Sequence, residues 1–325
     1  MRINFRPGAS PAEKAAVRAL AASVFPTLRP RADAGGLELS GVCPAKAADA
    51  AARLENLAGV ASVSLAFKEA CPRVAAAGPL SSPLDFTAGF RIIAGPCAVE
   101  DERAYLASAQ ALKAAGAHAL RAALFKPRSS PYAFQGLGFA GLKILEKAKK
   151  LTGLPLVTEV TDPRQVARLA PVCGLLQIGA RNMRNYELLK EAGRSGLPAL
   201  LKRAMFASLR DWLLSAEYLL KHGAGGVALC ERGDAPLAEG GPGLDFKLIA
   251  AAKKASRLPV LADPSHAARD RRLAERLALA AARRGADGLL IEASLDPLSA
   301  RVDGRQTLSV ETFSRLAARL QCEKN

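Results

Sequence analysis

Aromatic side chains make up only 5% of this 325-residue chain, with a single tryptophan. Proteins that hold single-stranded nucleic acid stack its bases on such rings, so the scarcity argues against that role. The net charge of +16 does not reverse the argument. A polyphosphate partner needs clustered cations, whereas Arg269, Arg271, Arg272, Arg276, Arg283 and Arg284 are spread along a helix-like segment. No nucleic acid partner is expected. Paired cysteines are also missing: Cys43, Cys71, Cys97, Cys173, Cys230 and Cys322 stand apart, with no CxxC. That excludes a small secreted disulfide framework and fits a cytoplasmic protein. No apolar run approaches membrane-spanning length, and the opening MRINFR has no apolar signal core, so neither a membrane nor secretion is expected.

What is present is the composition of a globular protein with a sizeable core, 50% hydrophobic and 23% charged. The first 70 residues read β (Arg2 to Arg6), α (Pro11 to Phe25), β (Thr27 to Ala32), β (Gly36 to Val42), α (Ala45 to Leu57), β (Val60 to Phe67). This βαββαβ order predicts a small α+β ferredoxin-like domain with a regulatory or assembly role over residues 1–70. A stretch rich in Pro, Gly and Ser follows, and residues 71–88 read as a linker.

From residue 89 to 325, short apolar runs alternate with amphipathic helical segments. The strand candidates are Arg91 to Pro96, Ala119 to Phe125, Leu156 to Val160, Gly174 to Gly179, Ala199 to Lys202, Gly226 to Cys230, Pro259 to Ala262 and Gly288 to Glu292. Eight such units predict a (β/α)8 TIM barrel with its chemistry at the C-terminal strand ends. An open doubly wound sheet is the competitor, and it is disfavoured because no GxGxxG turn follows the first strand.

Two groups of residues fall at those strand ends. Cys97, His266, Glu292 and Asp303 combine a thiol, an imidazole and two carboxylates, a set suited to one divalent ion of the Mn, Fe, Co or Zn class. Each has a plainer reading alone, as a small buried side chain, a loop histidine or a turn-forming aspartate; their joint placement points to metal. The second group is cationic: Arg121, Lys126, Arg128, Arg181, Lys202 and Arg232. Arginine forks and lysine point charges of this kind bind phosphate and carboxylate. Lys126, Pro127, Arg128, Ser129 and Ser130 crowd cations and hydroxyls into one turn, and Glu159 is placed either to orient a cation or a water or to serve equally as a structural ion-pair partner.

The segments IIAGPCAVE (Ile92 to Glu100), FKPRSSPYAFQGLG (Phe125 to Gly138), LVTEV (Leu156 to Val160), LQIGARNM (Leu176 to Met183), LLKR (Leu200 to Arg203), LCERG (Leu229 to Gly233), LADPSHA (Leu261 to Ala267) and DGRQ (Asp303 to Gln306) resemble, in order, the 3-deoxy-arabino-heptulosonate 7-phosphate (DAHP) synthases. The narrower resemblance is to the type I beta branch, in which a ferredoxin-like domain precedes the barrel. It implies condensation of phosphoenolpyruvate with erythrose 4-phosphate, the opening step of the shikimate pathway. By the same resemblance Cys97, His266, Glu292 and Asp303 hold the metal. Arg121, Lys126, Arg181, Lys202 and Arg232, with Glu159 and the Ala180 backbone, receive phosphoenolpyruvate, and Lys126, Pro127, Arg128 and Ser129 receive the aldose phosphate. Lys126 is the candidate proton donor, with a water near Cys97 or His266 as the other choice. Feedback inhibition by tyrosine or phenylalanine and a homotetramer are implied likewise.

Departures from that pattern are Ala122 and Ala123 where paired glycines are usual, Ala204 in place of glycine, an altered loop from Gly233 to Leu244, and Ser294 and Leu295 in place of histidine and proline. Two other readings stand beside the main one. The related 3-deoxy-manno-octulosonate 8-phosphate synthases carry KANRSS where this chain has KPRSS, so Pro127 favours erythrose 4-phosphate. A catalytically weakened barrel acting as a partner of another shikimate enzyme is opposed by the intact ligand residues.

Overall fold

The computed structural model describes residues 1–78, 80, 83–234 and 243–322. The chain divides into two units, Met1–Ala76 and Ala77–Asn325. In the first, β1 (Arg2–Phe5) leads to α1 (Pro11–Val24), whose start is set locally. Ser10 Oγ accepts from the Glu13 N–H, the Glu13 carboxylate accepts from the Ser10 N–H at 2.7 Å, and Pro11 opens the helix. Next come β2 (Arg31–Asp33), β3 (Gly36–Glu38), α2 (Pro44–Glu55) and β4 (Val60–Ser64). The antiparallel sheet has the order β2-β3-β1-β4, the ferredoxin-like arrangement. Ile3, Val17, Ala21, Leu37 and Leu54 form its core. β2 begins later than the expected Thr27, because Pro26 and Pro30 have no N–H to give a ladder.

The stretch 71–88 departs from the expected linker. The short helix α3 (Phe67–Ala70) leads into it, and a second, α4 (Pro72–Ala76), lies within it. Beyond them Leu80, Leu84 and Phe86 are buried in the core of the barrel. Pro79, Ser81 and Ser82 lie outside the described residues. What the prolines and serines of the sequence could not signal is that apolar side chains between them fill the open end of a cylinder.

That cylinder alternates β5 (Arg91–Gly95), α5 (Glu102–Ala114), β6 (Ala119–Arg121), α6 (Leu142–Thr152), β7 (Leu156–Val160), α7 (Pro163–Leu169), β8 (Leu175–Ile178), α8 (Tyr186–Arg194), β9 (Ala199–Lys202), α9 (Leu209–Lys221), β10 (Val227–Glu231), α10 (Phe246–Ala255), β11 (Val260–Ala262), α11 (Pro264–Ala268), α12 (Arg271–Arg283) and β12 (Gly288–Ser294). All eight strands pair in parallel, and β11 pairs with β12 to close the ring. A two-residue β13 (Leu308–Ser309) pairs in parallel with Ala293 and Ser294 at the end of β12 and precedes α13 (Val310–Cys322). β7, β10 and β12 are buried at every position, which is why they read as near-continuous apolar runs.

Inward-facing side chains from each strand, among them Ile93, Val157, Leu175, Leu200, Leu261 and Leu290, meet Leu80, Leu84 and Phe86 at the N-terminal end. The fit there is close. Gly226, just before β10, has φ 156° and could carry no Cβ without falling 2.7 Å from Leu80 Cδ1.

Candidate active site

At the other end of the strands lies a cavity of about 950 Å³ lined by Lys126, Pro127, Arg128, Ser129, Glu159, Ala180, Arg181, Lys202, Arg232, His266 and Asp303. Cys97, Arg121 and Glu292 are buried just beyond its wall. The sequence-predicted site residues thus gather at one mouth.

The four ligand candidates come from three strand ends. Cys97 follows β5; Gly95 before it (φ 158°) lies against Arg121, whose carbonyl oxygen would be 2.5 Å from a Cβ there. His266 is carried in α11, whose N-cap Asp263 accepts from the His266 N–H at 3.0 Å. Glu292 lies within β12, and Asp303 sits on the loop beyond it with φ 57°. One ligand atom from each falls within 4.8 Å of all the others. Cys97 Sγ is 3.1 Å from Asp303 Oδ2, and His266 Nε2 is 3.5 Å from Glu292 Oε1 and 3.8 Å from Asp303 Oδ2.

The chemistry of this set fits a bound cation. Gln306 donates to Glu292 Oε2 at 2.8 Å, which leaves Oε1 buried and without a hydrogen-bond partner. Oε1 faces the Arg121 guanidinium, with Nη2 3.1 Å away but not aligned as a hydrogen bond, which leaves its lone pairs open to a cation. Burial, followed by the Glu292 charge, raises the Cys97 thiol well above its ordinary range against the pull of Lys126 and Arg121. Burial also lowers His266 despite the opposing Asp263, so the imidazole is held in the neutral form that ligates.

The cations are arranged around this cluster. Arg121 ends β6, fully enclosed, with Nη2 3.1 Å from Glu292 Oε1 and 3.5 Å from Cys97 Sγ. Its Nε and Nη1 have no hydrogen-bond partner. Lys126 Nζ donates to Glu159 at 2.8 Å. Burial works against the Lys126 charge, but Cys97 and Glu159 outweigh it and its pKa is raised; Glu159, which burial alone would raise, is lowered by Lys126, Lys202 and Arg121. Lys202 ends β9 and pairs with Asp263. Arg181 donates to the Pro127 carbonyl at 3.3 Å. Arg128 and Arg232 are partly exposed and Ser129 is exposed at the rim.

The sequence reading missed Asp263, Arg203 and Glu231. Asp263 is buried between Lys202 and His266, with Oδ2 2.8 Å from His266 Nδ1 but without the alignment of a hydrogen bond. Burial opposes its charge, yet His266 and Lys202 hold its carboxyl well below the usual range. Arg203 grips buried Glu231 through two nitrogens and also reaches Asp234, while Glu231 accepts from the Gly233 N–H at 2.8 Å. This hub joins the segment that follows Lys202 to the end of β10 and to the loop after Arg232. The only available signal was adjacency, since both residues neighbour a site cation in sequence.

Among the described residues, the non-glycine positions at positive φ are Phe206, Arg269 and Asp303, and all three line the cavity. Such conformations persist where a site requires them. Ala122 and Ala123 are absent from that group, and their backbones are bonded normally, Ala122 N to Val157 O and Val99 N to Ala123 O, each at 2.9 Å. The extra methyl groups are accommodated in the core. Ala204 likewise lies outside positive φ. Ser294 ends β12 with its hydroxyl buried and unpartnered, and Leu295 is exposed. Of the loop from Gly233 to Leu244, residues 235–242 lie outside the described residues.

Comparison with known proteins agrees with this geometry. The DAHP synthetase I family matches residues 87–324. The phospho-2-dehydro-3-deoxyheptonate aldolase of Thermotoga maritima is 39% identical over 233 residues, 71% of this chain and 69% of that protein. A crystal structure of the Thermotoga maritima DAHP synthase superposes with a TM-score of 0.84 at 31% identity, covering 99% of this chain and 96% of that one. The 2-dehydro-3-deoxyphosphooctonate aldolase of Desulfatibacillum aliphaticivorans is 31% identical over 247 residues, 70% of this chain and 90% of that protein.

Proposed function

The chain belongs to the DAHP synthetase I family, and on that premise we propose the following roles for its residues. Its reaction is the condensation of phosphoenolpyruvate with erythrose 4-phosphate and water to give DAHP and phosphate. The higher identity to a heptonate synthase than to the octonate synthases supports erythrose 4-phosphate over arabinose 5-phosphate, as does Pro127.

The observation that carries the role assignment is the shared cavity, in which His266 and Asp303 face Lys126, Lys202, Arg181 and Arg232. Arg121 offers its two unpartnered nitrogens to phosphoenolpyruvate, and Lys202, Arg181 and Arg232 complete the cradle for its carboxylate and phosphate, with Glu159 and the Ala180 backbone beside them. Arg128 and Ser129, in the turn with Pro127, receive the phosphate of the aldose. A divalent ion of the Mn, Fe, Co or Zn class, held by Cys97, His266, Glu292 and Asp303, supplies Lewis acidity to an aldehyde oxygen.

The methylene carbon of phosphoenolpyruvate then bonds to the aldehyde carbon. Water adds to the former enol carbon, and phosphate leaves with its bridging oxygen. Lys126, kept protonated by the Glu159 carboxylate beside it, gives its proton to the new hydroxyl oxygen, whose alkoxide is by far the stronger base. Arg121, Arg181 and Arg232 offset the charge that develops during water addition.

The ferredoxin-like unit is proposed as a regulatory or assembly module that binds tyrosine or phenylalanine. A homotetramer and a cytoplasmic location are part of the same proposal; no helix among the described residues is long and apolar enough to cross a membrane. The deciding assay follows phosphoenolpyruvate loss with each aldose phosphate, with and without chelator and added metals. Loss with erythrose 4-phosphate that chelator abolishes is expected. Equal turnover of arabinose 5-phosphate would overturn the substrate assignment, and unchanged kinetics in saturating tyrosine and phenylalanine would overturn the regulatory one.

A further inference from the structure

Three of the four ligand candidates have short tethers to regular structure: Cys97 to β5, His266 in α11, Glu292 in β12. Asp303 does not. It lies between Ser294 and Leu308, a stretch with neither helix nor strand, and its side chain is 34% exposed where that of Glu292 is 0% exposed. Its φ of 57° is unfavourable for a residue with a side chain. A carboxylate on such a loop would spend much of its time elsewhere unless something removed that freedom.

The two sides of Asp303 are gripped by charged side chains from different elements. Before it, the Glu100 carboxylate accepts from consecutive backbone N–H groups, Arg301 at 2.8 Å and Val302 at 3.0 Å. After it, Arg271 donates to consecutive carbonyls, Nη2 to Gly304 at 2.8 Å and Nε to Arg305 at 3.3 Å. Glu100 closes the loop that carries Cys97, and Arg271 begins α12 immediately after the helix that carries His266. Each grip therefore runs from the segment of one ligand to the segment of Asp303. Val302 packs with Cys97 and Ala98, and the Arg301 guanidinium lies 4.0 Å from the Phe134 ring centroid, which adds apolar weight to the Glu100 side.

We propose that Glu100 and Arg271 are positioning residues for the metal centre, which hold the backbone on either side of Asp303 so that its carboxylate stands with the other three ligands before an ion arrives. The proposal rests on the reading of Cys97, His266, Glu292 and Asp303 as ligands. The residue types matter. A carboxylate has acceptors for two adjacent N–H groups, whereas an amide would turn its own NH2 toward one of them. A guanidinium spans two carbonyls, whereas an ammonium offers no planar fork. Supporting contacts of this order change metal affinity by about 10- to 100-fold.

The test uses the full chain stripped with chelator, with Co(II) titrated against a competing chromophoric chelator. Glu100→Gln and Arg271→Lys are each expected to weaken Co(II) binding by about 10- to 100-fold. At saturating Co(II) the sulfur-to-metal charge-transfer absorption of Cys97 should be retained. In an Asp303→Ala background neither change should weaken binding further, because the ligand they position is gone. Wild-type affinity in the folded variants would overturn the proposal, as would an equal loss in the Asp303→Ala background, which would mark general loosening. If Cys97→Ala bound Co(II) as wild type does, the ligand assignment itself would have failed. Glu100→Asp and Arg271→Ala, read in the same way, replace any first variant that does not fold.

Discussion

At the N-terminal ends of its strands the barrel is closed by Leu80, Leu84 and Phe86, hydrocarbon packed on hydrocarbon. At the C-terminal ends it buries four ion pairs, Arg121–Glu292, Lys126–Glu159, Lys202–Asp263 and Arg203–Glu231, with every partner's side chain at most 8% exposed. The first arrangement follows from the hydrophobic effect alone. The second is unfavourable taken by itself, since taking charges out of water costs more than most pairings return, and apolar replacements of equal volume are often as stable or more so. A protein that keeps so many at one end and none of that kind in its plug is maintaining a site there. The bottom of the barrel serves stability and the top serves chemistry.

The sharpest way to break this contrast is to remove a ligand from the top. Cys97→Ala is expected to lower kcat by about 1,000-fold or more, the several kcal/mol that metal chemistry supplies, while the unfolding midpoint of the chelated protein stays within a few degrees of wild type. Steady-state kinetics at saturating metal and thermal unfolding check the two halves. At the bottom the expectation inverts: Leu84→Ala should cost about 2–5 kcal/mol of stability with kcat/KM of the folded protein unchanged, measured by denaturant titration beside an assay. A large loss of activity in a stably folded Leu84→Ala protein would show that the ends are not independent.

A pH titration sharpens the comparison further. The Cys97 thiol is raised above its ordinary 9.0 by burial, so the metal-free protein is protonated there through neutral pH, and binding must release that proton. His266, lowered below 6.5, is already neutral and releases none. Apparent metal affinity should therefore rise about tenfold per pH unit between roughly 6.5 and 8.5, with about one proton released, read by calorimetry in buffers of different ionisation enthalpy. Without metal the sign reverses: above about pH 9 the unfolded thiol ionises and the folded one does not, so stability falls as pH rises.

The smallest effect belongs to Lys253–Asp287, a lysine–aspartate pair at the opposite end from Lys202–Asp263 but with side chains 37% and 28% exposed. Lys253→Ala should change stability by less than about 1 kcal/mol, as solvent-screened pairs do, and activity not at all. A Lys202→Ala protein assayed beside it should lose phosphoenolpyruvate affinity.

Much of this contrast was legible in the residues themselves. Buried parallel strands announced themselves as apolar runs, and their ends carried Cys97, Lys202 and Glu292 because a strand that turns at the barrel rim changes there from hydrocarbon to function. The plug was not legible, since three apolar side chains among prolines and serines look like a linker until a cylinder is present to be filled. Asp263 was hidden for a related reason: in sequence it is the N-cap of a short helix, and only the fold brings Lys202 of a strand two positions earlier against it.

Local pattern, then, determined the alternation of strand and helix, the βαββαβ order of the first unit and the identity of the residues at the strand ends, because periodicity and capping act between near neighbours. Tertiary structure alone decided that thiol, imidazole and carboxylates from three strand ends stand within 4.8 Å of one another, which oxygen of Glu292 faces Arg121 and His266, and how the loop of Asp303 is held. Those are distances between segments up to 206 residues apart in the chain, set by ring closure of the barrel, and no short-range pattern encodes them.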